Sequence, residues 1–112
     1  MPYKYIVIHP DGKLSCETHK KRPEWKEIQK YVEGLFQMVP YFSSMEFDGV
    51  KYTRGTAYCN EEGWIKNMAP NYLATACWMK ACPKGDPERM QIAGPLLFVV
   101  KVKEEEVHAE AS

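Results

Sequence analysis

Apolar positions along this chain follow three patterns, and each predicts a different kind of element. In Tyr3-Lys4-Tyr5-Ile6-Val7-Ile8-His9, Tyr5 and Val7 point one way along an extended chain while Ile6 and Ile8 point the other. Both faces are apolar, so the run predicts a central strand. Pro10-Asp11-Gly12 follows; Pro presets a turn and Gly accepts a positive φ. Leu14-Ser15-Cys16-Glu17-Thr18 alternates and predicts the returning strand of a hairpin. His19-Lys20-Lys21-Arg22 reads as a short basic connector.

The second pattern has a helical period. Trp25, Ile28, Val32 and Leu35 fall at i, i+3, i+7 and i+10, one stripe of a helix, with Glu24, Lys26, Glu27, Lys30 and Glu33 on the wet side. Pro23 suits the first turn, where its missing N–H costs nothing, and Gly34 marks the end. Residues 36–42 then read as extended, with Pro40 indicating a sheet edge or a bulge. Met45-Glu46-Phe47 and Val50-Lys51-Tyr52 flank Asp48-Gly49, a two-residue hairpin signal. Arg54-Gly55 reads as a bulge or second turn. Thr56–Cys59 is a short strand, the Asn60–Gly63 turn ends it, and Trp64-Ile65-Lys66 continues extended.

The third pattern is apolar on nearly every side. From Pro70 to about Ala81, Leu73, Ala74, Ala76, Cys77, Trp78, Met79 and Ala81 leave little polar face beyond Thr75 and Lys80. Such a helix must be covered on more than one side, by a sheet plus a loop or by a sheet plus a second subunit. Residues 83–89 form a polar, turn-rich loop in this reading. Leu96-Leu97-Phe98-Val99-Val100, bounded by Gly94-Pro95, predicts a buried central strand. From Lys103 onward the chain is acidic and poor in apolar residues, and fraying is expected there.

These elements define an α+β domain over residues 1–102 with a tail over 103–112. Two helices pack on a mixed, mainly antiparallel sheet of four to six strands. A ferredoxin-like βαββαβ arrangement is one candidate topology and a sheet with extra hairpins is another. A length of 112 residues with 45% hydrophobic composition supplies one core without help from disulfides or metals.

Charge narrows the partners. Fifteen basic and fifteen acidic side chains cancel. A nucleic-acid binder gains its affinity by neutralising phosphates and shows a basic excess, so nucleic acid is not the expected partner. A mimic of nucleic acid would need an acidic excess, also missing. The first apolar run is far too short for a secretory core or a membrane span, so the expectation is a cytoplasmic chain with no membrane partner. Its four cysteines are then expected as free thiols.

Each candidate site has a plainer reading beside it. Asn60-Glu61-Glu62-Gly63 sets two carboxylates beside a turn, where they could bind a cation or move protons. Turn chemistry alone, Asn first and Gly last, explains the same residues. Asn71, after Pro70, could hold a ligand beside the free N–H groups of a helix start. It could equally bond backbone groups of the preceding loop and orient the helix. Cys16 and His19 at C-x-x-H spacing, with Cys77 and Cys82, could in principle make a Cys₃His zinc site. Cys77, however, lies on the most apolar helix, and no C-x-x-C knuckle is present. His9 precedes a turn and reads most simply as a strand-end residue. Trp64, Tyr72 and Trp78 are aromatic residues of the kind enriched at binding surfaces and in cores alike. There is no nucleophile elbow and no phosphate-binding glycine loop. The reading is therefore no catalytic residue, no metal and no cofactor, with Asn60, Glu62, Trp64 and Asn71 as the residues of a binding surface.

At Asn60-Glu61-Glu62-Gly63, Pro70-Asn71-x-x-Ala74-Thr75 and Gly94-Pro95-Leu96-Leu97-Phe98-Val99-Val100, the chain resembles a family of small proteins encoded largely by phages, plasmids and bacteria, a domain of unknown function. Tyr5-Ile6-Val7-Ile8-x-Pro10-Asp11-Gly12 and Val32-Glu33-Gly34 also fit, and the similarity spans roughly residues 3 to 102. The resemblance implies a cytosolic accessory protein of a mobile element or its host, not an activity. Joined to the residue-level reading, it gives two functional expectations. One is a non-catalytic module that docks a protein partner or itself. The other is capture of a small, nucleotide-like ligand at the N-terminus of the second helix.

Overall fold

The computed structural model describes residues 2–82 and 90–103. The expectations for the polar loop at 83–89 and for the tail from 104 onward lie outside these residues. In chain order the elements are β1 (Tyr3–Ile8), β2 (Leu14–His19), α1 (Trp25–Val32), β3 (Phe36–Met38), β4 (Met45–Phe47), β5 (Val50–Tyr52), β6 (Thr56–Asn60), α2 (Tyr72–Ala81) and β7 (Leu96–Lys101). Five strands form one sheet in the order β2-β1-β7-β6-β3, and β4 and β5 form a separate hairpin. Every strand pairing is antiparallel. The fold is therefore α+β with two helices, and its element order is ββαββββαβ rather than the βαββαβ alternative.

The period-two pattern of β1 and β7 explains the layering. Tyr5, Val7, Leu97 and Val99 share one face with Ile28 and Val32 of α1. Ile6, Ile8, Leu96, Phe98 and Val100 share the other with Ala74 of α2 and with Met45 and Tyr52 of the hairpin. The two helices thus cover opposite faces of the sheet. Side chains of this kind each contribute about 1.5–3 kcal/mol on full burial, so the sheet's two faces carry most of the driving force. Lys4 shares the second face and is buried; its ammonium donates to the Tyr52 hydroxyl at 2.9 Å, tying β5 to β1. Asp48 and Gly49 adopt φ of 52° and 79°, both positive as a type I′ hairpin turn requires.

Four expectations need correction. The α1 stripe is shorter than its spacing suggests: Ile28 and Val32 are buried and Trp25 in the first turn is exposed, while the helix ends at Val32, where Glu33 takes a φ of 64°, and leaves Leu35 beyond it and exposed. The extended run at 36–42 stops at Met38; Tyr41 takes a φ of 63°, which turns the chain and drops Phe42 into the core. Trp64–Lys66 is not extended. Lys66 N–H donates to Glu62 O at 2.9 Å and Met68 N–H to Gly63 O at 2.9 Å, so residues 61–67 coil into consecutive turns. Finally, α2 is not shielded on several sides within one chain. Ala74 is its one fully buried residue, while Tyr72, Leu73, Ala76 and Lys80 are exposed. Among the described residues no helix is long and apolar enough to cross a membrane.

Candidate functional site

The start of α2 is built around Asn71. Its side-chain oxygen accepts from Ala74 N–H at 3.0 Å, the N-cap bond that satisfies one orphan donor of the helix. Its side-chain nitrogen donates to Ile8 O at 2.8 Å and to Gly94 O at 2.9 Å. Its backbone N–H donates to Ile92 O at 2.7 Å. Thr75 completes the knot: its hydroxyl donates to Asn71 O at 2.9 Å and accepts from Ile92 N–H at 3.0 Å. Asn71 is 1% exposed, and both amide hydrogens and the amide oxygen have internal partners. It fastens α2 to the end of β1 and to the segment that leads into β7.

Asn60 plays a comparable part on the other side of the sheet. Its side-chain nitrogen donates to Val32 O at 3.0 Å and Glu33 O at 3.3 Å, capping the carbonyl end of α1. Its side-chain oxygen accepts from Glu62 N–H at 2.8 Å, closing an Asx turn. The Glu61 side chain is exposed and that of Glu62 half-buried. Gly63 packs so closely on Ala93 that a Cβ there would lie 2.6 Å from the Ala93 carbonyl oxygen.

That close approach sets Trp64 beside residues 90–92. Trp64 is half-exposed, and its indole N–H donates to Gln91 O at 3.3 Å. Trp64, Pro70, Asn71, Tyr72, Thr75, Met90, Gln91 and Ile92 line an open groove of about 450 Å³. Of the lining residues Tyr72 is 78% exposed, and the chain neighbours Ile65, 80% exposed, and Leu73 also reach solvent. Of the four expected binding residues, the groove brings together Trp64 and Asn71. Asn60 and Glu62 do not line it. Met90 and Ile92 are groove residues that the sequence reading did not single out; their i, i+2 spacing before Gly94-Pro95 was the available signal.

The remaining candidates separate. Cys16 packs on the α2 side of the sheet with Cys77, whereas His19 stacks on Tyr5, which belongs to the α1 side. An interval of three along a strand puts two side chains on opposite faces, so Cys16 and His19 cannot share an ion. The four cysteines form no disulfide. Burial pushes the Cys59 and Cys77 thiols up from their ordinary value, away from reactivity. Among the described residues no group of three or more His, Cys, Asp or Glu is placed to hold a metal ion. His9 bonds the Ser15 hydroxyl at 3.2 Å in an exposed hairpin. Trp78 is half-buried and its indole N–H donates to Pro40 O at 2.8 Å.

One titratable cluster was not foreseen. The Tyr31 hydroxyl of α1 donates to the Glu17 carboxylate of β2, and His19 Nε2 lies 3.2 Å from the same carboxylate. The Tyr5 ring stacks on His19 with centroids 4.0 Å apart and meets Tyr31 edge-on. The Tyr31 hydrogen bond, then that of His19, holds the Glu17 carboxyl below its usual range. Burial raises Tyr5 to about 12, and burial with the Glu17 hydrogen bond raises Tyr31. Glu17 and His19 sit at i, i+2 on one face of β2, but their joining to Tyr31 depends on where α1 docks.

Comparison with known proteins returns no matching family model, no matching curated protein and no matching solved structure.

Proposed function

We propose that this chain is a non-catalytic binding module that docks a protein partner, or a second copy of itself, through the groove between Trp64 and Tyr72. The observation that supports the reading is the character of the groove's surroundings. Trp64 and Tyr72 line the groove and are exposed, as are their chain neighbours Ile65 and Leu73. The whole stretch from Gly63 to Gly85 contains no Asp or Glu. Apolar residues scattered singly need no explanation, but aromatic and aliphatic residues gathered around a concavity suit a buried anchor from a partner. The setting that the sequence resemblance implies, a cytoplasmic accessory protein of a mobile element or its host, belongs to the same proposal.

The test is a paired pull-down from the native host with the wild-type chain and a Tyr72→Asp variant. The expected result is a partner retained by the wild type and lost by the variant, with both chains equally folded. Identical retention by the two would remove the groove from the proposal.

The second reading, capture of a small ligand at the start of α2, draws on the groove's volume of about 450 Å³, a size that suits a small molecule. Against it stands the Asn71 carboxamide, whose hydrogen-bonding groups are already engaged. Native mass spectrometry of freshly purified protein tests it: a small mass that co-purifies with the wild-type chain and is lost from the Tyr72→Asp chain supports a ligand in the groove, and a bare chain mass in the wild type counts against one.

A further inference from the structure

The sheet ends in two strands that differ as edges. β2 carries Glu17 between Lys13 and Lys20, and charges of this kind blunt an edge. The β3 edge has none: from Gly34 to Met45 the chain contains no Asp, Glu, Lys or Arg. Leu35, Gln37 and Met38 are exposed there, Met38 by 63%.

Backbone bonds tell which main-chain groups of β3 face outward. Glu61 N–H donates to Leu35 O at 2.8 Å, and Val39 N–H donates to Ala57 O at 2.8 Å. Both pairs continue the register that sets Phe36 beside Asn60 and Met38 beside Tyr58. Bonded and non-bonded pairs alternate along an antiparallel ladder. Leu35, Gln37 and Val39 therefore bond inward to β6, and the N–H and C=O of Phe36 and Met38 point away from it. Among the described residues no hydrogen bond reaches these outward groups. The next outward positions on either side are closed. Gly34 N–H is spent on Gln29 O at 2.9 Å, and Pro40 has no N–H. Beyond Pro40 the chain leaves the edge: Pro40 O accepts from the Trp78 indole at 2.8 Å, and Phe42 enters the α2-face core. What remains is two donors and two acceptors, placed symmetrically about Gln37.

That symmetry fits a second copy. A two-fold axis at Gln37 sets Phe36 opposite Met38 of the second copy, twice over. Both are bonded pairs, so all the outward groups of both copies are met. Moving the axis to Met38 would oppose Phe36 to Pro40, and moving it to Phe36 would oppose Met38 to Gly34. Either shift leaves a carbonyl on each copy without a donor. The side chains agree with the main chain. Phe36 packs edge-on against Tyr58 on the α1 face, and Met38 shares that face by alternation. Each Phe36 ring thus gains a Met38 thioether beside it, a favourable contact. On the opposite face Gln37 meets its own counterpart at a non-bonded position, where facing side chains approach closest. No like charges meet along the uncharged run.

We infer that a second copy of this chain adds antiparallel at the β3 edge with its two-fold axis at Gln37, joining two five-stranded sheets into one continuous sheet. Such an isologous contact closes on itself. The inference stands apart from the proposed docking function, because no residue of β3 lines the groove.

Analytical ultracentrifugation of the full chain, up to about 1 mM where weak association becomes visible, gives the first readout. A dimer is expected. Met38→Pro removes an outward N–H that the chain's own ladder does not use, and is expected to leave a monomer. Because that proline could also disturb the strand, a pair of surface variants keeps the test decisive. Gln37→Lys and Gln37→Glu each set like charges face to face across the axis, and each alone is expected to weaken the dimer about threefold. An equal mixture of the two is expected to associate more tightly than either, as a heterodimer. A strict monomer over the whole range overturns the inference. So does a dimer unchanged by Met38→Pro, a mixture of the Gln37 variants no tighter than its components, or a dimer abolished by Tyr72→Asp, which would assign self-association to the groove.

Discussion

The side-chain nitrogen of Asn71 lies 2.8 Å from the carbonyl oxygen of Ile8, a contact between residues 63 positions apart in the chain. It closes the end of β1 against the start of α2 and leaves no polar atom of the carboxamide idle. Replacing Asn71 with Ala removes a cap and strands two buried carbonyls and an N–H, so it should destabilise the fold by about 3 kcal/mol. Asn71→Asp keeps the cap oxygen but replaces the donor with a carboxylate facing two carbonyls, and should be no better. Urea unfolding of both variants checks this; a loss under about 1 kcal/mol for Asn71→Ala would show that the knot is not structural.

Asn60 offers a parallel case at the end of α1. Its nitrogen serves Val32 O and Glu33 O, at the negative end of that helix. Asn60→Asp keeps the oxygen that holds Glu62 N–H but points a charge at those carbonyls. The expected loss is about 2 kcal/mol, larger than for an exposed Asn→Asp change. Thermal unfolding with circular dichroism reads it directly.

Gly63→Ala tests the turn that carries Trp64. A Cβ at this position would lie 2.6 Å from the Ala93 carbonyl oxygen, a backbone atom with little room to yield. The chain must shift by several tenths of an ångström, at a cost of about 1–3 kcal/mol. Trp64 should move with it, so its fluorescence maximum and quenching by iodide should change together with stability.

The Glu17 cluster makes stability depend on pH in a signed way. The folded-state value of Glu17 is lowered, chiefly by the Tyr31 hydrogen bond. A lowered carboxyl contributes stability that is full above its ordinary value of 4.5 and is lost as pH falls through the folded value. Tyr5 and Tyr31 are shifted the other way, from an ordinary 10.0 upward. Their contribution is full below 10.0 and is lost as pH rises through their folded values. Tyr31→Phe should flatten the acid limb and reduce the alkaline one, while Tyr5 retains its share. Denaturant unfolding across pH, wild type against Tyr31→Phe, decides it; superimposable acid limbs would rule out the Glu17 contact as the cause.

How far the sequence spoke depended on the range of the interaction involved. The alternation in β1, the continuous apolar run of β7 and the Asp48-Gly49 turn are local signals, and the strands and hairpin stand where those signals put them. Trp64–Lys66 is coiled where its pattern reads as extended, because short apolar runs do not distinguish strand from coil; the bonds that Lys66 and Met68 N–H donate to the Glu62 and Gly63 carbonyls decided the matter. The candidate site was legible in part. Trp64, Asn71 and Tyr72 could be named, but Met90, Gln91 and Ile92 reach the groove only through the packing of Gly63 on Ala93 and the bridge by Thr75.

The amino-acid order by itself determined the two helices, the strands β1 and β7 and the Asp48-Gly49 hairpin, because these follow from side-chain period and turn chemistry within a few residues. The tertiary structure alone decided that β7 lies between β1 and β6, that the helices take opposite faces, and that α2 keeps an open side. Those outcomes rest on contacts between residues dozens of positions apart, where many pairings satisfy the same local pattern and only the packing of the whole chain selects one.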